Sequence, residues 1–226
     1  MWQKSLDREG WAVIPGVFLP HEMEALSDEL SPSALPRSRA GVRHALRNPA
    51  VAKLARDARL VRIAQAVMGA AAFPFRATLF DKSPQANWLV AWHQDTAVPL
   101  RERQEIAGWG PWSIKEGVTY AHAPADILCR ILTIRVHLDH STMRNGPLRV
   151  LSGSHNAGVL SDEEIHQLAG STAPTECPVP RGGLLLMRPL LVHSSSKSQV
   201  AASRRVLHIE CITTTAVGGG LELAVN

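Results

Sequence analysis

His93, Asp95 and His193 carry the most specific chemical signature in this chain. The first two stand one residue apart in WHQD, and the third follows in LLVHSS a hundred residues downstream. Two imidazoles and one carboxylate are the set that holds non-heme Fe(II) on one face, leaving the opposite positions open to a cosubstrate and oxygen. On an extended strand, residues i and i+2 face the same side. In NWLVAWHQD, His93 and Asp95 therefore share parity with Asn87, Leu89 and Ala91, while Trp88, Val90, Trp92 and Gln94 turn away. HxD is a short pattern in a chain with 10 histidines, and His44, His122, His137, His140, His155, His166 and His208 compete for the same role. His137 shares parity with Thr133 and Arg135 on ILTIRVHL and could line the same cavity, whereas His155 in SGSH reads as a turn residue held by hydrogen bonds.

Arg204 lies eleven residues after His193, at the head of RRVLHIECIT. It shares parity with Val206, His208 and Glu210; Arg205 shares parity with Leu207, Ile209 and Cys211. One of the two arginines therefore faces inward, where an unpaired charge is expensive. A dicarboxylate cosubstrate would pair it through a bidentate contact, with Ser195 adding a hydroxyl to the same carboxylate. The competing reading is an internal ion pair between Arg204 and Glu210 or another acid.

Residues 1–70 read as a mostly helical support. WAVI at 11–14 is a short strand, Pro20 starts a helix through HEMEALSDEL, and Asn48-Pro49 caps a second helical region that runs to Gly69, with a break near Asp57. From residue 75 to 215 the pattern is that of strands: FRATLF, NWLVAWHQD, ILTIRVHL, PLRVLSGSH, GLLLM, LLVHS and RRVLHIECIT. Ser161 and Glu164 form a capping-box pattern for one small helix. Residues 96–126 show no clear periodicity and read as an insert. The crossovers lack the repeated helices of a parallel sheet, so the expected fold is mainly β: an antiparallel double-sheet barrel of jelly-roll type in one domain over 1–226, with helices packed outside.

The composition excludes several classes. The 226 residues fit one domain. With 24 Lys+Arg against 20 Asp+Glu the charge is +4, spread without a basic run, so nucleic acid is a poor expectation. Apolar runs are strand-sized, so no membrane span is expected, and the N-terminus lacks the apolar stretch of a secretory signal, which points to the cytoplasm. Three cysteines without a CxxC argue against structural zinc; Cys129 and Cys211, in apolar runs, read as buried thiols.

The strings LFDKSPQANWLVAWHQDT, NGPLRVLSGSH, MRPLLVHSSS and SRRVLHIE, in this order, resemble the phytanoyl-CoA dioxygenase family of Fe(II)/2-oxoglutarate-dependent oxygenases, especially its small bacterial members. The likeness runs nearly the full length, from GWAVIPGVFLP to the closing strand. It implies a double-stranded β-helix core, Fe(II) on His93, Asp95 and His193, and Arg204 on the distal carboxylate of 2-oxoglutarate with Ser195 as helper. Thr133 and Lys82 are further candidates for the cosubstrate site; Lys82 could equally be a solvated turn residue. Ser152 replaces the proline common in PGSH, and the second serine of the distal segment is kept as Ser195. The implied reaction consumes O2 and 2-oxoglutarate, releases succinate and CO2, and normally hydroxylates a C–H bond. Halogenation is disfavoured because Asp95 occupies the position a halide needs. The segments 31–47 and 96–126 should form the mouth, carrying Arg37, Arg39, Arg43, Trp109, Trp112 and Tyr120. They suit a small anionic or aromatic substrate, or else the tryptophans pack the cover and the arginines are solvated. The expected assembly is a monomer or homodimer. Two alternatives stand beside this: a cupin-type metal enzyme independent of 2-oxoglutarate, with no role for Arg204, and a non-enzymatic small-ligand-binding jelly roll that needs no metal.

Overall fold

Alternation of polar and apolar residues along the long strands creates two unlike faces, and the fold follows from burying both. A computed structural model describes residues 1–31, 35, 38 and 41–225. The N-terminal part holds α1 (Trp2–Glu9), β1 (Trp11–Ile14), α2 (Pro20–Glu29), β2 (Gly41–Val42), α3 (Pro49–Ala55) and α4 (Ala58–Met68). The strand-rich part runs through β3 (Phe73–Lys82), β4 (Val90–His93), β5 (Ala97–Leu100), β6 (Trp112–Lys115), β7 (Val118–His122), α5 (Ala125–Leu128), β8 (Leu132–His137) and β9 (Leu148–Val150). It continues with α6 (Asp162–Ser171), β10 (Thr175–Cys177), β11 (Leu184–Met187), β12 (His193–Ser195) and β13 (Arg204–Ile212), and closes on the hairpin β14 (Ala216–Gly218) and β15 (Leu221–Glu222).

A six-stranded sheet in the order β1-β11-β8-β13-β3-β2 faces a four-stranded sheet in the order β10-β9-β12-β4, and every pairing is antiparallel. Parity sorts β13 cleanly. Leu207, Ile209 and Cys211 join Ala77, Leu79, Ile134 and Leu186 against Met23, Val51, Leu60 and Ala64 of the helices. Arg204, His208 and Glu210 take the opposite face, toward the interior. The interior has an apolar end as well, where Leu148, Val150, Cys177, Leu185, Met187 and Leu191 pack together.

The jelly-roll expectation holds, with β1 of the helical support adding an edge strand to the larger sheet. Asn48 caps α3 and Asp57 caps α4, which places the break where the sequence put it. Ser161 and Glu164 form the capping box of α6. Three expectations need correction. Residues 96–126 are not irregular but contain the sheet β5-β7-β6 followed by α5. The first nine residues, given no helix, carry α1. Cys129 is exposed, because its apolar run belongs to α5 and the turn after it and not to a strand.

Candidate metal centre and anion pocket

β4 and β12 pair antiparallel with His93 opposite His193, so residues a hundred apart in sequence become cross-strand neighbours. Asp95 follows β4 and is pinned by its N–H, which donates to Pro189 O at 2.9 Å. Its Oδ1 lies 3.7 Å from His93 Nε2, and its Oδ2 lies 3.6 Å from His193 Nε2. All three ligand atoms fall within 4.8 Å of one another. Each imidazole uses Nδ1 against its own strand, His93 with Ala91 O at 2.8 Å and His193 with Leu191 O at 2.9 Å. A carbonyl oxygen only accepts, so Nδ1 carries the proton in both rings and Nε2 offers a lone pair. Burial, with His93 alongside, pushes the His193 imidazole down to about 4, so it is neutral at pH 7. Burial alone would raise the Asp95 carboxyl; the imidazoles of His193, His208 and His93, where protonated, and the Arg76 guanidinium outweigh that and hold it well below the usual carboxylate range. Its buried Oδ2 has no hydrogen-bond partner among the described residues. Two imidazole nitrogens and a carboxylate oxygen converging on one point fit a divalent transition metal.

His93 and Asp95 face the same side as expected, but the alternation along this strand is interrupted before them. Val90 pairs with Ser195 and His93 with His193, so β4 carries one more residue than β12 between these points. This bulge resets the alternation. Trp88 and Val90 line the same cavity as His93 and Asp95, while Leu89 is 59% exposed. Trp92 does face away, beneath the Arg149 guanidinium. Gln94 also turns away, yet it positions the site: its amide donates to Gly158 O and Leu190 O and accepts from Leu160 N, tying the strand end to the segment that leads into β12.

Arg204 and Ser195 also line this cavity, and Lys82 meets both at Ser195. β13 pairs with β3 so that Arg204 faces Lys82. Lys82 Nζ donates to Ser195 Oγ at 2.9 Å and to Ser196 O at 2.6 Å, and Arg204 Nη2 donates to Ser195 Oγ at 3.2 Å. Lys82 is 1% exposed, which removes the solvated-turn alternative. Glu210 pairs with Arg76, so the internal ion pair considered for Arg204 does not form. Arg204 Nε and Nη1 are buried without a partner among the described residues. Burial and the nearby Arg135 push the Arg204 guanidinium down to about 9. Thr133, also a candidate, is fully buried opposite Glu210 and Met187 and does not line the cavity.

The turn at Asn145-Gly146 sets this corner. Gly146 has φ +70°, its carbonyl accepts from Ser195 Oγ at 3.0 Å, and a Cβ there would fall 2.2 Å from Ser196 O. Gly146→Ala should therefore destabilise the fold by about 1–2 kcal/mol from backbone strain alone. It should also displace the carbonyl that holds Lys82; thermal unfolding and 2-oxoglutarate titration check both effects. Burial, then Arg204 and Arg135, lower Lys82 to about 7. An arriving carboxylate reverses that shift, so binding at pH 8 should take up a proton. Affinity should weaken by at most about tenfold per pH unit above 7, and Lys82→Met should abolish the uptake. Calorimetry in buffers of different ionisation enthalpy reads this directly.

Four other groups, Arg135, His208, Arg76 and Glu210, take places the sequence did not assign them; His208 was a competing ligand and Glu210 an ion-pair partner for Arg204. Arg135 Nη1 lies 2.9 Å from His208 Nδ1, and both residues line the cavity. His208 Nε2 lies 3.8 Å from Asp95 Oδ2. Arg76 joins Glu210 to Ala97 O at the start of β5, anchoring the insert beside the site. Shared parity with Arg204 on β13, and with His137 on β8, was the available signal. The two covering segments touch: Arg43 pairs with Glu116, and His44 Nε2 approaches Lys115 O at 3.3 Å. Trp109 and Trp112 pack against the cluster around Phe75 and Val98, and Tyr120 is buried between Arg76 and Lys115. For these aromatics the packing alternative fits. Arg37 and Arg39 lie outside the described residues.

Residues 6–206 match the family model for phytanoyl-CoA dioxygenase. The chain belongs to the phytanoyl-CoA dioxygenase family. It is accordingly an Fe(II)- and 2-oxoglutarate-dependent oxygenase that uses O2. This family member is 24% identical to the L-proline trans-4-hydroxylase of Streptomyces griseoviridis over 240 residues, covering 89% of this chain and 82% of that protein. Its fold resembles EctD from S. alaskensis with 2-oxoglutarate and 5-hydroxyectoine (TM-score 0.70, 20% identity, 94% of this chain and 75% of that one). It also resembles HygX from Streptomyces hygroscopicus with nickel and 2-oxoglutarate bound (TM-score 0.67, 19% identity, 94% and 86%). Among its described residues, no helix is long and apolar enough to cross a membrane.

Proposed function

We propose that this family member hydroxylates a small organic molecule, holding Fe(II) on His93 Nε2, Asp95 and His193 Nε2 and the distal carboxylate of 2-oxoglutarate on Arg204, Lys82 and Ser195. The observation that carries the reading is the buried Arg204 guanidinium, its Nε and Nη1 without a partner among the described residues, in the same cavity as a three-residue metal set. A cupin-type enzyme independent of 2-oxoglutarate gives that buried charge nothing to do, and a metal-free binding module gives the three-residue metal set nothing to do. The cavity measures about 90 Å³ and brings the metal set, Arg135, Ser195 and Arg204 onto one space.

Bound there, Fe(II) with 2-oxoglutarate and O2 supplies the oxidising power, yielding succinate, CO2 and a hydroxylated carbon. The protein's own contribution is placement. The Nδ1 hydrogen bonds fix both ring orientations, and ionised Asp95 offsets one metal charge. Phe80, Trp88, Val90 and Leu148 form an apolar wall that keeps water from the reacting centre. No side chain is needed as a general base.

Succinate release tests the reading. Fe(II), 2-oxoglutarate and O2 should give succinate above background with at least one member of a panel of free amino acids and small organic acids. L-Proline heads that panel because a relative is named for it. Failure of 2-oxoglutarate to bind, or to be consumed with any panel member, would count against it.

A further inference from the structure

Several of the chain's inward and half-buried arginines pair with carboxylates. Arg59 bridges Glu22 and Asp57, Arg76 holds Glu210, and Arg205 makes a two-pronged contact with Asp139. Arg135 has no such partner among the described residues. It is 5% exposed, lies over the Phe80 ring, and makes its hydrogen bond to a neutral acceptor, His208 Nδ1. Among the described residues no carboxylate lies within ion-pair distance of Arg135, Arg204 or Lys82. The two acids of the interior are committed elsewhere, Asp95 to the metal set and Glu210 to Arg76. Arg135 and Arg204 therefore line one small cavity, with Lys82 bonded to Ser195 beside them, and its one carboxylate, Asp95, is within ion-pair distance of none of the three; a buried charge without such a partner is costly.

Their placement divides them into two ends. Lys82 and Arg204 pair across β3 and β13 and share Ser195. Arg135 pairs across β8 and β13 with His208, four residues further along β13, and His208 reaches toward Asp95. One cationic end thus lies beside the metal set and the other lies away from it. A ligand with a carboxylate at each end matches both; a monocarboxylate satisfies one.

Resting on the 2-oxoglutarate reading above, we propose that Arg135, seated on His208, is a second cosubstrate-binding residue that holds the metal-side carboxylate of 2-oxoglutarate while Arg204, Lys82 and Ser195 hold the distal one. The two ends then select a dicarboxylate of this length, and His208 positions Arg135 by accepting its hydrogen bond. His208 in turn keeps its Nε2–H toward Asp95.

Calorimetric titration of the full-length, anaerobic Fe(II)-loaded protein with three ligands tests this. The ligands are 2-oxoglutarate, 4-oxopentanoate, which lacks the metal-side carboxylate, and 2-oxopentanoate, which lacks the distal one. Arg135→Met should weaken 2-oxoglutarate and 2-oxopentanoate by about 10- to 100-fold and leave 4-oxopentanoate unchanged. Arg204→Met should spare 2-oxopentanoate instead. Without ligand, Arg135→Met should melt no lower than wild type, since it removes an uncompensated charge. If it does not fold, Arg135→Lys carries the same comparison, with a smaller loss confined to ligands bearing the metal-side carboxylate. Equal weakening of all three ligands, or no change in 2-oxoglutarate affinity, overturns the proposal while leaving the 2-oxoglutarate reading intact. If wild type binds no 2-oxoglutarate, it is that reading which fails.

Discussion

Replacing His193 by alanine should bring succinate formation to the detection limit while the protein stays folded. The ring is one of three donors, it is 3% exposed, and its orientation is fixed by Leu191 O. Loss of an outer partner that merely orients a ligand typically weakens a metal about 10- to 100-fold, so removing the ligand itself should exceed about 100-fold. Neighbouring Ser195 and the Arg204 corner do not depend on the imidazole, so 2-oxoglutarate should still bind to metal-free His193→Ala with affinity close to that of metal-free wild type. Equilibrium dialysis with Fe(II) under anaerobic conditions and calorimetry with 2-oxoglutarate separate the two effects. Unchanged iron affinity in His193→Ala would remove this residue from the ligand set.

Arg204→Met should have the second largest effect, and it should move stability and function in opposite directions. The guanidinium is 4% exposed, two of its nitrogens have no partner, and burial lowers it to about 9. Exchange of a buried, unpaired charge for an apolar side chain of similar length is commonly neutral or stabilising by about 1–4 kcal/mol. With ligand bound, the same charge makes a desolvated contact whose truncation costs about 2–5 kcal/mol. That is about 30-fold to several thousand-fold in 2-oxoglutarate affinity. A melting temperature at or above wild type, together with this loss, is the expected result. The sign on pH follows from the same lowering. The folded state binds the Arg204 proton less tightly than the unfolded chain, so it releases that proton first as pH rises through 9, and this residue's contribution to stability improves from there upward. A lower melting temperature with unchanged affinity would instead make Arg204 a structural residue.

Much of this was legible in the sequence where period and burial agree. β13 is the best case, because a strict alternation sent Leu207, Ile209 and Cys211 to the helices and Arg204, His208 and Glu210 to the interior. β4 was harder. A one-residue bulge between Val90 and His93 leaves no mark on composition, so Trp88 and Val90 were assigned to the wrong face although His93 and Asp95 were not. The insert escaped for two physical reasons. β5 contains Pro99, which an edge strand tolerates but which reads as a breaker. β6 and β7 are joined by Glu116-Gly117, both with positive φ, where Asn-Gly or Asp-Gly would have announced the hairpin. Cys129 was misplaced because the apolar pair Ile127-Leu128 before it looks the same in a short helix as in a strand. Arg135 and His208 were visible as inward residues, but their contact depends on cross-strand register, which a single sequence does not fix.

The most direct measurement is anomalous diffraction at the iron edge from crystals grown anaerobically with Fe(II) and 2-oxoglutarate. A single strong peak is expected within bonding distance, about 2.0–2.2 Å, of His93 Nε2, an Asp95 carboxylate oxygen and His193 Nε2, with the cosubstrate running from it to Arg204. A peak coordinated by other residues, or iron-saturated crystals with these three side chains apart and no peak between them, would contradict the account.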